Sequence, residues 1–147
     1  MPSFNKTIVQ DSLQRSTVAF NYASSVALNV SSLTGEINPS ELYGFKGLTS
    51  VTGTNMGISR IYWSMPVSTT ACSIELAFGL SGSLTGQPLL NLNGSGMFDL
   101  YAAGNAIHTS YTGSDRNNII TLRNTGSVPP NSGISVILEI DKLLGFK

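Results

Sequence analysis

The segment Ile134–Asp141, with the sequence ISVILEID, decides the fold class of this chain. Its residues alternate between two sides at a period of two, which is the period of a β-strand. One side is wholly apolar and consists of Ile134, Val136, Leu138 and Ile140. The other side carries Ser135, Glu139 and Asp141 together with Ile137. The pattern therefore predicts an antiparallel strand with one face on a core and the other toward solvent.

The same alternation recurs along the chain. Cys72–Phe78 places Cys72, Ile74, Leu76 and Phe78 on one face, and Ser25–Val30 does the same with Val26, Leu28 and Val30. Weaker strand patterns cover Arg15–Phe20, Ile58–Ser64, Leu89–Leu92, Met97–Tyr101, Ile107–Tyr111 and Asn118–Arg123. The dipeptide Asn93-Gly94 stands between two apolar runs and predicts a hairpin. We therefore predict an all-β fold, an antiparallel β-sandwich of about eight to ten strands with jelly-roll-like topology.

The length of 147 residues favours one domain spanning 1–147. Its first segment, 1–11, is predicted to be an edge strand or an arm that reaches a neighbour, and 143–147 is predicted to be a tail. Ser32–Gly53 is predicted to be a long loop with a short helical turn that starts at Pro39 and reaches Tyr43. The predicted core includes Trp63, Leu76, Phe78, Val136, Leu138 and Ile140.

The charge balance excludes several classes of partner. The formal net charge is zero and only 11% of the residues are charged. A nucleic-acid interface needs a basic surface to neutralise phosphates, and an anionic membrane surface attracts clusters of basic residues. No apolar run is long enough to cross a bilayer, and the N-terminus lacks the pattern of a signal peptide. We therefore expect no nucleic acid and no membrane among the partners, and synthesis in the cytoplasm.

The side chains that enzymes use are scarce. The chain has one His, His108, and one Cys, Cys72, while its eight basic and eight acidic residues are scattered singly. Zinc sites and catalytic centres need several such groups close together. The densest polar segment, Asp115–Asn118, is predicted to be a solvated turn, with a cation or sugar site as the alternative. The sequence thus predicts no enzyme, no catalytic residue, no cofactor and no metal, and a Cys72 that packs as a small hydrophobe.

Candidate contact residues come from three places. Arg60 and Tyr62 lie on the side of their strand opposite Trp63, and Tyr and Arg are enriched at interface hot spots. The long loop supplies Tyr43 and Phe45. The tail supplies the three apolar residues Leu143, Leu144 and Phe146. We therefore predict that the protein works through contacts made by these residues.

The order of segments resembles that of a known family. The segments are Val30–Gly35, Ile58–Ser64, Ser73–Phe78, Leu92–Leu100 and Ser135–Lys142. In this order the chain resembles small virion structural proteins of tailed bacteriophages, especially those of marine cyanobacteria. It departs from their pattern at Ala77-Phe78, where an acidic residue is common. The resemblance implies a component of a phage particle without catalytic residues.

Composition and resemblance together lead to a specific expectation. We expect a capsid decoration, or cement, protein on the head surface of the virion, which forms a homotrimer and binds the major capsid protein or another virion protein. A tail, neck or baseplate component is the alternative within the same class. A carbohydrate-binding β-sandwich module is the alternative from another class, with Trp63 or Tyr101 as an exposed stacking platform.

Overall fold

The computed structural model describes most strand segments of the chain. The described residues are 3–24, 26–29, 33–44, 56–65, 72–78, 87–100, 107–108 and 119–142. Within them lie ten strands: β1 Asn5–Asp11, β2 Arg15–Ser24, β3 Thr34–Ile37, β4 Met56–Ser64, β5 Ile74–Phe78, β6 Gln87–Leu92, β7 Ser95–Asp99, β8 Ile107–His108, β9 Ile120–Asn124 and β10 Ser132–Lys142. One 3-10 turn, Pro39–Glu41, follows β3. The prediction of an all-β fold is confirmed.

The strands form two antiparallel sheets. The large sheet has six strands in the order β1-β2-β10-β4-β7, with β8 also paired to β4. The small sheet has four strands in the order β3-β9-β5-β6. All strand neighbours in both sheets pair antiparallel. The two sheets pack on a common core, as the predicted sandwich requires, while the jelly-roll-like topology stays a prediction.

The period-two pattern of β10 organises the large sheet. Every second residue of β10 from Ser132 to Lys142 is buried, and the residues between them are half-buried or exposed. The strand pairs with β2 on one side and β4 on the other. Val136 therefore lies between Phe20 and Trp63, and the neighbouring inward residue, Leu138, lies between Val18 and Ile61.

The core consists of inward side chains from both sheets. Fully buried members include Phe20, Ile61, Val136, Leu138 and Ile140 from the large sheet and Ile74, Leu76, Leu92, Ile120 and Leu122 from the small one. Burial of each large apolar side chain contributes about 1.5–3 kcal/mol. The core assignments of Leu76, Val136, Leu138 and Ile140 are confirmed. The side chain of Phe78 lies outside the described residues.

The predicted hairpin at Asn93-Gly94 is wrong. Strand β6 before it pairs with β5 in the small sheet, whereas β7 after it pairs with β4 in the large sheet. The turn therefore carries the chain from one sheet to the other. Gly94 has φ of +61°, a left-handed conformation that glycine adopts without steric cost. A local turn signal identifies the bend, but distant strands decide which partners its flanks find.

The predicted strand at Ser25–Val30 is also wrong. Among its described residues, Val26 is exposed and Leu28 forms only an isolated bridge with Val128. The buried side chain of Asn124 holds the backbone here instead of a ladder. Its Nδ2 donates to Asn29 O at 2.7 Å, and its Oδ1 accepts from Leu33 N at 2.8 Å.

The predicted loop Ser32–Gly53 begins with regular structure. Thr34–Ile37 forms β3 and pairs with β9, which the sequence did not indicate. The predicted helical turn is present as the 3-10 turn, with Pro39 at its start and Asn38 as its cap. Residues 45–53 lie outside the described part of the chain. The N-terminal segment, for which the sequence left two alternatives, forms the edge strand β1 over Asn5–Asp11.

Candidate interaction surface

The outer face of the large sheet, the face turned away from the core, is formed by side chains in register across five strands. Its middle row consists of Thr7, Ala19, Ile137, Tyr62 and Met97. Tyr62 is 37% exposed and Met97 is 53% exposed. The antiparallel pairing fixes these residues side by side, since directly opposed residues point to the same face. The result is a row of four apolar side chains, from the buried Ala19 through the half-buried Ile137 to the exposed Tyr62 and Met97, with Thr7 at its end.

A neutral polar row lies on one side of the apolar row. It consists of Asn5, Asn21, Ser135, Ser64 and Ser95. The hydroxyl of Ser135 donates to Oδ1 of Asn21 at 2.5 Å. Ser95 donates to the hydroxyl of Ser64 at 3.4 Å. Hydroxyl and amide groups both donate and accept, so this row can bind a neutral polar surface in many arrangements.

A charged row lies on the other side, centred on Arg60. It runs through Gln10, Thr17, Glu139, Arg60 and Asp99. Nε of Arg60 lies 3.4 Å from Oδ2 of Asp99, and Nη1 lies 3.4 Å from Oε2 of Glu139. Asp99 and then Glu139 raise the pKa of Arg60, which stays charged. Arg60 and Tyr62 thus lie together on the outer face as predicted, but Arg60 is held by two carboxylates of its own chain.

A buried lysine fastens one corner of the molecule. The Nζ of Lys142 lies 2.6 Å from Oδ1 of Asp11, 2.5 Å from Ser12 O and 2.6 Å from Tyr43 O. Its three N–H donors therefore have three oxygen acceptors. The side chain of Lys142 has no exposed area, while that of Asp11 is 22% exposed. We name this arrangement the Lys142 corner.

The electrostatics of the corner centre on the Asp11 carboxylate. Partial burial tends to raise the pKa of Asp11, but hydrogen bonds from Lys142, the Ser16 hydroxyl and the Tyr43 N–H outweigh it, together with the charge of Lys142. The net result is a pKa below the ordinary carboxyl range. The ionised form is therefore the one that the fold stabilises.

The sequence interpretation missed Lys142, although a signal was present. The inward series of β10 continues from Ile140 by two residues to Lys142. A lysine on the buried side of a strand needs acceptors nearby, because an unpaired buried charge is costly. The residue that supplies the main acceptor, Asp11, lies at the other end of the sequence and could not be identified from spacing.

The remaining candidate contact residues divide between the surface and the undescribed segments. Tyr43 is exposed, and the Lys142 Nζ lies 5.8 Å from the centre of its ring. The other four candidates, Phe45, Leu143, Leu144 and Phe146, lie outside the described residues. The structure therefore brings Arg60 and Tyr62 together on the outer face, and places Tyr43 separately at the Lys142 corner.

Trp63 lies at the margin of the core rather than inside it, which corrects the prediction. Its ring is half-buried and packs on the core cluster. Nε1 donates to Asn93 O at 2.8 Å, and the ring centre lies 5.0 Å from that of Phe98. The residue opposite Trp63 on β7 is Gly96, at which a Cβ would lie only 2.7 Å from the indole. Trp63 is thus engaged by its own chain, and Tyr101, the other proposed sugar platform, lies outside the described residues.

His, Cys, Asp and Glu side chains, the types that most often bind metal ions, do not cluster in the described part of the chain. No group of three or more His, Cys, Asp or Glu side chains among them is placed to hold a metal ion. His108 belongs to β8, but its side chain is not described, and neither is Asp115–Asn118. Cys72 is half-buried on the edge of the core, and this burial raises the pKa of its thiol. No helix in the described ranges has the length and apolar character needed to cross a membrane.

Comparison with known proteins adds no relative. No family model matches the chain, and no curated protein matches it. The resemblance to phage virion proteins therefore rests on the sequence segments themselves and enters below as part of a proposal.

Proposed function

We propose that this protein is a structural subunit of a tailed-phage virion and, more specifically, a capsid decoration protein on the head surface. The order of sequence segments that resembles phage virion proteins supports this proposal. So do the two-sheet fold and the lack of a metal-binding cluster among the described residues. In this proposal the chain acts as a homotrimer without catalytic activity, and its partner is the major capsid protein or another virion protein.

The observation that carries the proposal is the outer face of the large sheet. It offers an apolar row between two polar rows across five paired strands. Its described charged side chains are paired within the chain, since Arg60 lies between Asp99 and Glu139 and Arg15 Nε lies 2.8 Å from Asp141 Oδ1. These two arginines and three carboxylates leave one net negative charge on the face. A face with so small a net charge needs no strongly basic partner. It suits a broad contact with an uncharged protein surface, with Tyr62 as the central anchor.

The main alternative within the class is a tail, neck or baseplate subunit, which would use the same face on another virion protein. The carbohydrate-binding alternative needs an exposed aromatic ring flanked by polar groups. Trp63 is less suited to this role, because its ring is half-buried and packs against Gly96 and Phe98. We therefore keep protein binding as the proposed role.

A binding experiment with phage particles tests the proposal. Particles assembled without this protein would be mixed with the purified chain and sedimented, and the bound fraction would be measured. We expect wild-type protein to sediment with the particles and Tyr62→Ala to bind at least tenfold more weakly. Asn91→Ala is the matched control, since Asn91 is exposed opposite Glu75 on the small sheet. Equal binding by Tyr62→Ala and Asn91→Ala would exclude the outer face as the docking surface.

A further inference from the structure

The edge strands β1 and β7 of the large sheet are exposed. All seven residues of β1 are exposed except Lys6, which is half-buried. At the opposite edge, the first four residues of β7, Ser95–Phe98, are exposed as well. An uncovered edge strand is a ready site for association, which proteins normally manage by a specific contact or by protective features.

Most of the large exposed hydrophobic side chains among the described residues belong to these two edges. On the β1 side, Val9 is 63% and Tyr43 is 64% exposed, and Ile8 and Leu13 are exposed beside them. Tyr43 is joined to the end of β1 by its N–H, which donates to Asp11 Oδ2 at 2.9 Å. On the β7 side, Met97 and Phe98 are exposed. Val26 and Tyr62 are the exposed large hydrophobics elsewhere in the described ranges.

We infer that the β1 edge of one copy binds the β7 edge of the next copy, so that the subunits close into a ring. A twofold dimer pairs a patch with its own copy and would cover only one of these two different patches. A head-to-tail contact covers both with a single type of interface. The trimeric copy number of the ring rests on the proposed function.

The available area supports a ring rather than a dimer. A strand of seven residues is about 24 Å long, and the side of a two-layer sandwich is about 20 Å thick. The β1 edge therefore offers about 500 Å² and the five-residue β7 edge about 350 Å², so one contact covers about 350 Å² per partner. A typical stable interface buries about 800 Å² per partner. In a closed ring every subunit makes two such contacts and buries about 700 Å² in total, which approaches the area of one stable interface.

The charges at the β1 and β7 edges and the bulge in β1 indicate that the two copies meet through side chains. The charged side chains at both edges have partners of opposite charge within the subunit, because Lys6 pairs with Glu41, and Asp99 shares Arg60 with Glu139. No like charges therefore oppose the approach of two copies. Strand β1 carries a bulge between Ile8 and Gln10, and bulges interrupt regular pairing at sheet edges. The contact is accordingly formed by packing of the apolar side chains and not by an added ladder of backbone hydrogen bonds.

Sedimentation equilibrium of the pure protein tests the ring directly. We expect wild type to have three times the chain mass of 15.5 kDa. Val9→Lys and Met97→Lys, one at each edge, are each expected to give a monomer, since every contact in the ring uses one altered edge. Val26→Lys, at an exposed position on neither edge strand, is the matched control and should keep the wild-type mass. Circular dichroism and thermal melting verify that each variant is folded.

Mixing the two edge variants separates the ring from a dimer. In the mixture, the intact β7 edge of Val9→Lys can bind the intact β1 edge of Met97→Lys, so a one-to-one complex should form. Because this complex has a single contact, its affinity should be lower than that of the ring, and the mixture is measured at the highest protein concentration used. A twofold dimer through β1 would instead be lost in Val9→Lys, kept in Met97→Lys, and not restored by mixing. A monomeric wild type, or a mixture that stays monomeric, overturns the inference. These measurements use no particles, so a ring that fails to bind particles would refute the proposed function and leave the interface standing.

Discussion

Lys142 and Asp11 lie 131 positions apart in the sequence, yet their Nζ and Oδ1 atoms are 2.6 Å apart. The pair joins the last residue of β10 to the last residue of β1. The backbone N–H of Lys142 adds a hydrogen bond to Gln14 O at 2.8 Å in the turn between β1 and β2. The Lys142 corner thereby fixes the end of the edge strand β1, on which the proposed ring depends.

The first prediction concerns the asymmetry of this pair. Asp11→Ala leaves the ammonium group of Lys142 buried without its counter-ion, which should lower the free energy of unfolding by about 3–5 kcal/mol. Lys142→Met removes the buried charge and leaves Asp11, which is partly exposed, with its bonds from Ser16 and Tyr43. Lys142→Met should therefore lower the free energy of unfolding clearly less than Asp11→Ala does. Urea unfolding of both variants and wild type measures the difference, and equal losses would contradict the assignment of Lys142 as the buried member.

The second prediction concerns pH. Because the pKa of Asp11 is lowered in the folded state, its contribution is fully present above the ordinary carboxyl pKa and is lost as the pH falls through the lowered value. Stability should therefore decline between about pH 5 and pH 2. Asp11→Asn should decline less over this range than wild type, as measured by the melting temperature at intervals of pH. A variant whose melting temperature falls in parallel with wild type would show that other carboxylates carry the acid sensitivity.

The third prediction concerns the two faces of β10. Leu138→Ala removes a fully buried side chain and should cost about 2–5 kcal/mol through lost burial and the cavity that remains. Ile137→Ala, at the adjacent half-buried position on the outer face, should cost less than half as much. Chemical denaturation compares them. Similar losses in the two variants would refute the assignment of faces on this strand.

The fourth prediction concerns the contact between Gly96 and Trp63. A Cβ at Gly96 would lie 2.7 Å from Cζ2 of Trp63, so Gly96→Ala must displace the indole. Trp63 is the single Trp of the chain, and its fluorescence therefore reports the change directly. We expect the emission maximum to shift to longer wavelength as the ring gains solvent. Gly133→Ala is the control, because a Cβ there meets no atom within 4 Å, and its spectrum should equal that of wild type.

The sequence predicts strands well where one strand face meets the core. The inward residues of β5 and β10 alternate strictly, and the structure buries Ile74, Leu76, Val136 and Leu138 as expected. Sheet order does not follow from this alternation, because β10 pairs with β2 and β4 from distant parts of the chain. For the same reason the turn at Asn93-Gly94 is identifiable, but its passage between two sheets is not.

Polar side chains that bind distant parts of the chain explain the other differences between the sequence prediction and the structure. Val26 and Leu28 have a strand-like spacing, but the Asn124 amide binds the backbone beside them and replaces a ladder. The candidate surface is predictable in part, since alternation places Arg60 and Tyr62 on one face. The Asp99 and Glu139 partners of Arg60 come from neighbouring strands and require the register of the sheet.

Imaging of intact particles by electron cryomicroscopy tests the proposed function most directly. The reconstruction should be compared with one of particles assembled without this protein. The proposal predicts additional trimeric density on the head surface, fitted by the two-sheet fold, with the outer face around Tyr62 against the shell. Density on the tail, neck or baseplate alone would contradict the decoration role, and particles that contain none of this chain would contradict a structural role in the virion.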